Sequence, residues 1–126
     1  VFPNKSINIH ADGAGTVVEN TYRASINIPI WNCTDQTVTY FWDFPDQREL
    51  AYINMDKLGV RDIPDKDQLI KMCATTMQQP VLFRNEYPHS VENAATEIRY
   101  VVSWRFRPEI DWEQAAHLCG QYGLIA

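Results

Sequence analysis

The amino-acid sequence predicts an α+β fold, a mainly antiparallel sheet with two helices packed on one face, as a single domain over residues 1–126. Three observations carry this expectation. Thr96 to Arg107 alternates apolar and polar side chains, the period of a strand. Tyr22 to Ile30 does the same. Segments 65–77 and 111–122 each open on an aspartate with a glutamine three residues on, which is capping-box spacing. Strands joined by hairpins and interrupted by helices make an α+β order.

The elements follow in turn. Ser6 to His10 alternates, with Ile7 and Ile9 on one side, and reads as the first strand. Asp12-Gly13 is a hairpin signal, because glycine tolerates positive φ, and Thr16 to Glu19 is the expected return strand. In Tyr22 to Ile30 the residues Tyr22, Ala24, Ile26, Ile28 and Ile30 form the expected inner face, while Arg23, Ser25 and Asn27 form the outer one. Pro29 cannot donate to a ladder, which puts that end at a sheet edge or terminus. Trp31 to Asp35 is a turn. Thr37 to Trp42, rich in β-branched and aromatic residues, is the next strand, broken by Phe44-Pro45-Asp46. Arg48 to Leu58 has no clear period, and Gly59 to Pro64 is a loop.

Asp65 to Met77 is expected to be a helix, with Leu69, Ile70, Met72, Cys73 and Met77 as its apolar face. Pro80 stops it, Val81 to Phe83 is a short strand, and Asn85 to Ser90 is a loop. On Thr96 to Arg107, Ile98, Tyr100, Val102, Trp104 and Phe106 make the expected core face, and Arg99, Arg105 and Arg107 point away from it. Pro108 ends the strand. Asp111 caps the last helix, whose inner stripe is Ala115, Leu118, Cys119 and Tyr122.

Composition bounds the function. Hydrophobic residues make up 45% and charged residues 21%, so a core is expected. The net charge of −5 opposes non-specific attraction to nucleic acid or to an anionic membrane. No apolar run nears the ~20 residues of a membrane-spanning helix, so a soluble chain without membrane insertion is expected. Three cysteines, Cys33, Cys73 and Cys119, are an odd count and read as reduced, buried thiols. The sequons at Asn4 and Asn32 leave secretion open.

Chemistry-bearing residues are dispersed. His10, His89 and His117 lie in separate segments, and no Cys/His pair has zinc-site spacing, so no metal or cofactor is expected. The acidic groups Asp62, Asp65, Asp67 and Glu109, Asp111, Glu113 sit at expected helix starts, where carboxylates complement the dipole. Asp43, Asp46 and Glu49 adjoin Phe41, Trp42 and Phe44 in an expected loop. There is no nucleophile elbow, P-loop or dinucleotide fingerprint, and no catalytic residue is assigned.

Trp31 and Phe41 fall on the polar sides of their strands, where exposed aromatics favour interfaces. The interaction candidates are therefore Trp31, Phe41, Trp42, Phe44, Arg99, Arg105 and Arg107. They support a non-catalytic structural or interaction subunit of a larger assembly, a homo-oligomeric shell or a multi-subunit complex, with other protein subunits as partners. The alternative is a small-molecule-binding domain, with enzymatic use of Asp43, Asp46, His10 and His117. A third reading is nucleic-acid binding through the arginine face.

Overall fold

A computed structural model describes residues 1–12, 23–48, 53–55, 60–63 and 65–124. Along them run β1 (Lys5–Asp12), β2 (Ala24–Trp31), β3 (Thr37–Asp43), β4 (Ile53–Met55), β5 (Val60–Asp62), β6 (Ile70–Thr75), β7 (Val81–Arg84), β8 (His89–Asn93), β9 (Tyr100–Arg105) and α1 (Trp112–Gln121). One sheet has the order β4-β5-β1-β8-β3-β6 and the other β7-β2-β9. Every pairing is antiparallel. The sheets face each other across side chains of both, as where Phe41 of β3 meets Phe83 of β7 at 4.9 Å. The expected return strand Thr16 to Glu19 lies outside the described residues.

The mainly antiparallel expectation holds, but the described residues contain one helix rather than two. The capping box at Asp111 forms: its side chain accepts from the Gln114 backbone N–H at 2.8 Å, and the Gln114 side chain accepts from the Asp111 N–H at 3.0 Å. Ala115 and Cys119 are buried on α1, while Tyr122 is exposed. The same spacing at Asp65 yields no such cap. Asp65 is left-handed (φ 56°) and makes no side-chain cap bond, and a single 3-10 turn, Lys66–Gln68, follows. Ile70–Thr75 then becomes β6, with Tyr40 opposite Ala74 and Trp42 opposite Lys71. An open sheet edge on β3 offers this run a full ladder, and that pairing outweighs helical spacing. The expected loop Gly59 to Pro64 contains β5, and His89, expected in a loop, starts β8.

Two further expectations are corrected. Phe44 is buried in a cluster with Ile63 and Leu69, against which Trp42 and Ile9 pack. Phe44 is thus a core residue rather than an exposed interaction residue, and Trp42 is partly buried against it. The expected faces are also inverted on β9 and, in part, on β2, where Ala24 is buried and the preceding Arg23 exposed as expected. Arg99, just before β9, is only 5% exposed, whereas Tyr100, Val102 and Trp104 are 56%, 50% and 73% exposed. On β2, Ser25 is fully buried and Ile30 is exposed. The polar faces of both strands turn inward towards the six-stranded sheet. The apolar faces turn outward, where Leu118, Cys119 and Tyr122 of the α1 end partly cover Ile26, Trp104 and Phe106. All three cysteines are free, and Cys73 is exposed rather than buried.

Candidate metal centre

Inward-facing polar residues need a reason, because burying them without partners costs free energy. Here they line a cavity of about 400 Å³ between the sheets. At one end of it lie His10, Asp12 and His89. His10 and Asp12 are two apart on β1, so the period of a strand puts them on one face. A register shift between Ile7 and His10 re-aims that end of β1. His89 is the register partner of His10 on β8. Residues 79 apart in sequence thus meet with ring centroids 4.4 Å apart.

Their ligand atoms converge. The Asp12 Oδ1 lies 3.6 Å from the Nε2 of His10 and 3.8 Å from the Nε2 of His89. One ligand atom from each of the three residues fits within 4.8 Å. Adjacent ligands of a divalent ion bonded at 2.0–2.2 Å are about 3 Å apart, so the two Asp12–histidine separations need to close by under ~1 Å, and the set as a whole by under ~2 Å, to seat an ion. Each imidazole is already oriented. The His10 Nδ1–H donates to the Asn8 carbonyl at 2.7 Å, and the His89 Nδ1–H to the Tyr87 carbonyl at 2.9 Å. A carbonyl only accepts, so both rings carry their proton on Nδ1 and present the Nε2 lone pair. Such outer bonds fix the tautomer of metal-binding histidines.

The electrostatics fit a cation. Burial is the main force on His89 and, with the positive charge of His10, pushes its pKa down to about 4, against the opposing pull of Asp12 and the Tyr87 carbonyl. His89 is therefore a neutral ligand at neutral pH. Burial also opposes the charged form of His10, but the hydrogen bond to Asp12, the Asn8 carbonyl and the Asp12 charge together raise its pKa. Burial raises the Asp12 carboxyl, but the His10 hydrogen bond and the charges of His89, His10 and Arg105 outweigh it and lower the pKa. A ligating imidazole must be neutral, so a divalent cation displaces any proton that the raised pKa keeps on His10. Phe83 meets the His89 ring edge-on at 4.7 Å, and Phe41 lies at 6.3 Å. These rings wall the site from water on one side.

At another part of the same cavity sits Arg99. Its Nη1 donates to the Thr39 hydroxyl at 3.4 Å and its Nη2 to the Met77 sulfur at 3.2 Å, while its Nε has no partner. A buried guanidinium normally holds a carboxylate or phosphate. Among the described residues, no carboxylate forms an ion pair with Arg99. The guanidinium faces the cavity, where an anion could pair with it.

Of the residues singled out from sequence, the fold brings His10, Arg99 and Arg105 to this cavity and places Phe41 beside it. It leaves the others outside. Trp31 is exposed at the end of β2 and donates its indole N–H to Glu97 at 3.1 Å. The Trp42 indole donates to the Ser90 hydroxyl at 2.9 Å. Asp43 accepts from the Phe44 N–H, and Asp46 pairs with Arg48 at 3.0 Å, so these acids close a turn. His117 is exposed on α1, and Arg107 lies exposed beyond β9. Of the expected solvent-facing arginine stripe, Arg99 is buried, while Arg107 is exposed and Arg105, also exposed, faces Asp12 at 3.9 Å. The sequence reading assigns no metal ligand at His10, Asp12 or His89, the three residues that could hold an ion here. The available signal was His-x-Asp at strand spacing, which needs no Cys/His pair. Comparison with protein-family models, curated proteins and solved structures finds nothing that matches this chain.

Proposed function

We propose that this chain carries a mononuclear non-haem metal centre, with His10, Asp12 and His89 as ligands, and that it is an Fe(II)-dependent oxygenase using a 2-oxo dicarboxylic acid as co-substrate. The observation that carries this reading is the convergence of two histidines and one carboxylate in an inter-sheet cavity that also holds a buried arginine with no ion-paired carboxylate among the described residues. Two histidines and a carboxylate on one face of an ion leave open positions opposite, the arrangement suited to non-haem Fe(II). A hydrolytic zinc site would need a general base beside its water. Asp12 is the only carboxylate among the described residues lining the cavity, and it is a ligand.

The co-substrate follows from spacing and electron count. Arg99 reaches Thr39, whose register partner is Val91, while His89 is opposite Phe41. The two levels are two residues apart along β8, or about 7 Å. A five-carbon dicarboxylate spans this distance, with one carboxylate on Arg99 and a chelating 2-oxo acid head at the metal. Inserting one oxygen atom of O2 into a C–H bond takes two electrons from the substrate. Oxidative decarboxylation of the 2-oxo acid supplies the other two, giving CO2 and an acid one carbon shorter. The metal, when bound, supplies the site where O2 and the 2-oxo acid meet. The chain's residues hold that site, orient the co-substrate through Arg99, and exclude water with Phe41 and Phe83.

The test is anaerobic titration of the protein with Fe(II) and 2-oxoglutarate, followed by exposure to O2. One Fe(II) per chain, a visible charge-transfer band that needs both additions, and release of succinate and CO2 are expected. No stoichiometric Fe(II) binding would overturn the reading.

The exposed aromatic and aliphatic face of β2 and β9 supports a second reading, compatible with the first. In it the outward face of the small sheet is an interface in an assembly. Native mass by light scattering tests it, and a monodisperse monomer without apolar-dye binding would remove it.

A further inference from the structure

Resting on the metal-centre reading, we infer that Arg105 is a positioning residue: it holds the outer oxygen of Asp12, so that Asp12 gives one oxygen to the metal and leaves the facing positions open. The two oxygens of Asp12 are already divided. Oδ1 faces both Nε2 atoms, at 3.6 and 3.8 Å, and Oδ2 faces the Arg105 Nη2 at 3.9 Å. A carboxylate with nothing on its outer oxygen can rotate to bind an ion through both, which takes a second coordination position. Oxygen chemistry at this centre needs that position for the co-substrate or O2. A cation on Oδ2 opposes the rotation by charge.

The backbone supports the same division. The Asp12 N–H donates to the Asn85 carbonyl at 3.0 Å, and the Asn85 N–H donates to the Arg23 carbonyl at 3.1 Å. The buried Ser25 hydroxyl donates to the Asn85 side chain at 2.9 Å. Ser25 is in turn the register partner of Arg105. The main chain of Asp12 and the strand carrying Arg105 are thus anchored through one short chain of residues. Arg99 and Arg105 are six apart, so both fall on the inward face of the β9 segment with different tasks. Arg99 has no ion-paired carboxylate among the described residues and is suited to a ligand. Arg105 has Asp12.

The experiment uses Co(II) as a spectroscopic stand-in for Fe(II), with wild type, Arg105→Gln, Arg105→Lys, Asp12→Ala and the Arg105→Gln/Asp12→Ala double variant. Wild type should bind one Co(II). Arg105→Gln should weaken Co(II) binding by roughly 10- to 100-fold, the range for lost outer-shell partners, and change the Co(II) visible bands as the coordination number changes. Arg105→Lys, retaining the charge, should fall between, and it reports even if the glutamine variant folds poorly. In the Asp12→Ala background, Arg105→Gln should cost nothing further, because the effect acts through Asp12. Unchanged affinity and bands in both single variants would overturn the inference, as would a full additional loss in the double variant. If Arg105→Gln instead abolishes 2-oxoglutarate binding as Arg99→Gln does, with the Co(II) bands intact, Arg105 is a ligand residue and the inference fails. Absence of Co(II) binding by wild type is a different failure, that of the metal-centre reading itself.

Discussion

The two faces of the β7-β2-β9 sheet are built from the same strands and meet opposite requirements. The inward face carries Ser25, Asn27, Ser103 and Arg105, with Arg99 beside it, and encloses polar space shared with His10, Asp12 and His89. The outward face carries Tyr100, Val102 and Trp104 and is only partly covered by α1. A sheet optimised for stability alone would do the reverse, since apolar area gains from burial and a buried guanidinium costs. The inversion is the ground on which the proposed site is placed at the inward face. The polar groups are tolerated inside because they converge on a cavity where a cation and an anion can satisfy them.

The contrast is broken most severely at the metal ligands. His89→Ala or Asp12→Ala removes one of three ligands, and a loss of Fe(II) or Co(II) affinity of at least about 100-fold is expected, beyond what outer-shell changes cost. Trp104→Ala, on the opposite face, should leave metal affinity unchanged. Calorimetric titration of the three variants checks both statements at once. Equal losses at both faces would mean that the cavity is not the site.

Acid should separate the faces as well. The His89 pKa of about 4 lies below its ordinary 6.5. The unfolded chain therefore binds more protons between those values, and metal-free protein loses stability as pH falls through the window. A shift of that size corresponds to about 3 kcal/mol by linkage. His10 shifts in the opposite sense and acts above pH 6.5, and the depressed Asp12 acts below the ordinary carboxylate range, so the window reports mainly on His89. Denaturant unfolding of chelator-treated protein at pH 7, 5 and 4 is the measurement. His89→Gln should flatten the profile between pH 6.5 and 4.

How much of this was readable beforehand depended on the kind of signal. Alternation located β2, β3 and β9, and the capping box located α1, because both are local. The same capping spacing failed at Asp65, where the following residues find a partner strand that sequence does not reveal. Alternation also says that a strand has two faces without saying which is inside. On β9 the usual rule gives the apolar face to the core, and the rule fails where polar groups line an interior cavity. For the site, His10 and Asp12 stood at strand spacing in plain view. His89 joins them only through register with β8, a strand whose start reads as a loop around Pro88 in the sequence.

Arg99 sharpens the comparison at a smaller scale. Arg99→Met keeps the length of the side chain and removes a buried charge that has no carboxylate partner among the described residues. Stability of the protein without ligands should be unchanged or higher, since a well-packed apolar replacement of a buried charge is often neutral or stabilising. Binding of 2-oxoglutarate to the Co(II)-loaded protein should fall by about 2–4 kcal/mol, roughly 30- to 1000-fold, as for a lost desolvated charge partner. A destabilised fold with intact 2-oxoglutarate binding would make Arg99 a structural cation and remove the anion subsite.

Trp104 gives the smallest expected effect and the cleanest discrimination between faces. As the core residue that alternation suggests, Trp104→Ala would cost about 3–5 kcal/mol. On the outward face, 73% exposed and opposite Ile26 on β2, its replacement should cost no more than about 0.5 kcal/mol, the ordinary range for surface positions. Denaturant midpoints at low protein concentration separate these values, which differ at least sixfold. Repeating the measurement at high concentration adds the second reading's contribution. If the outward face is an interface, wild type gains stability with concentration and Trp104→Ala does not, because association stabilises the folded state by mass action. A large loss at low concentration would return Trp104 to the core and reverse the assignment of faces on which the cavity reading depends.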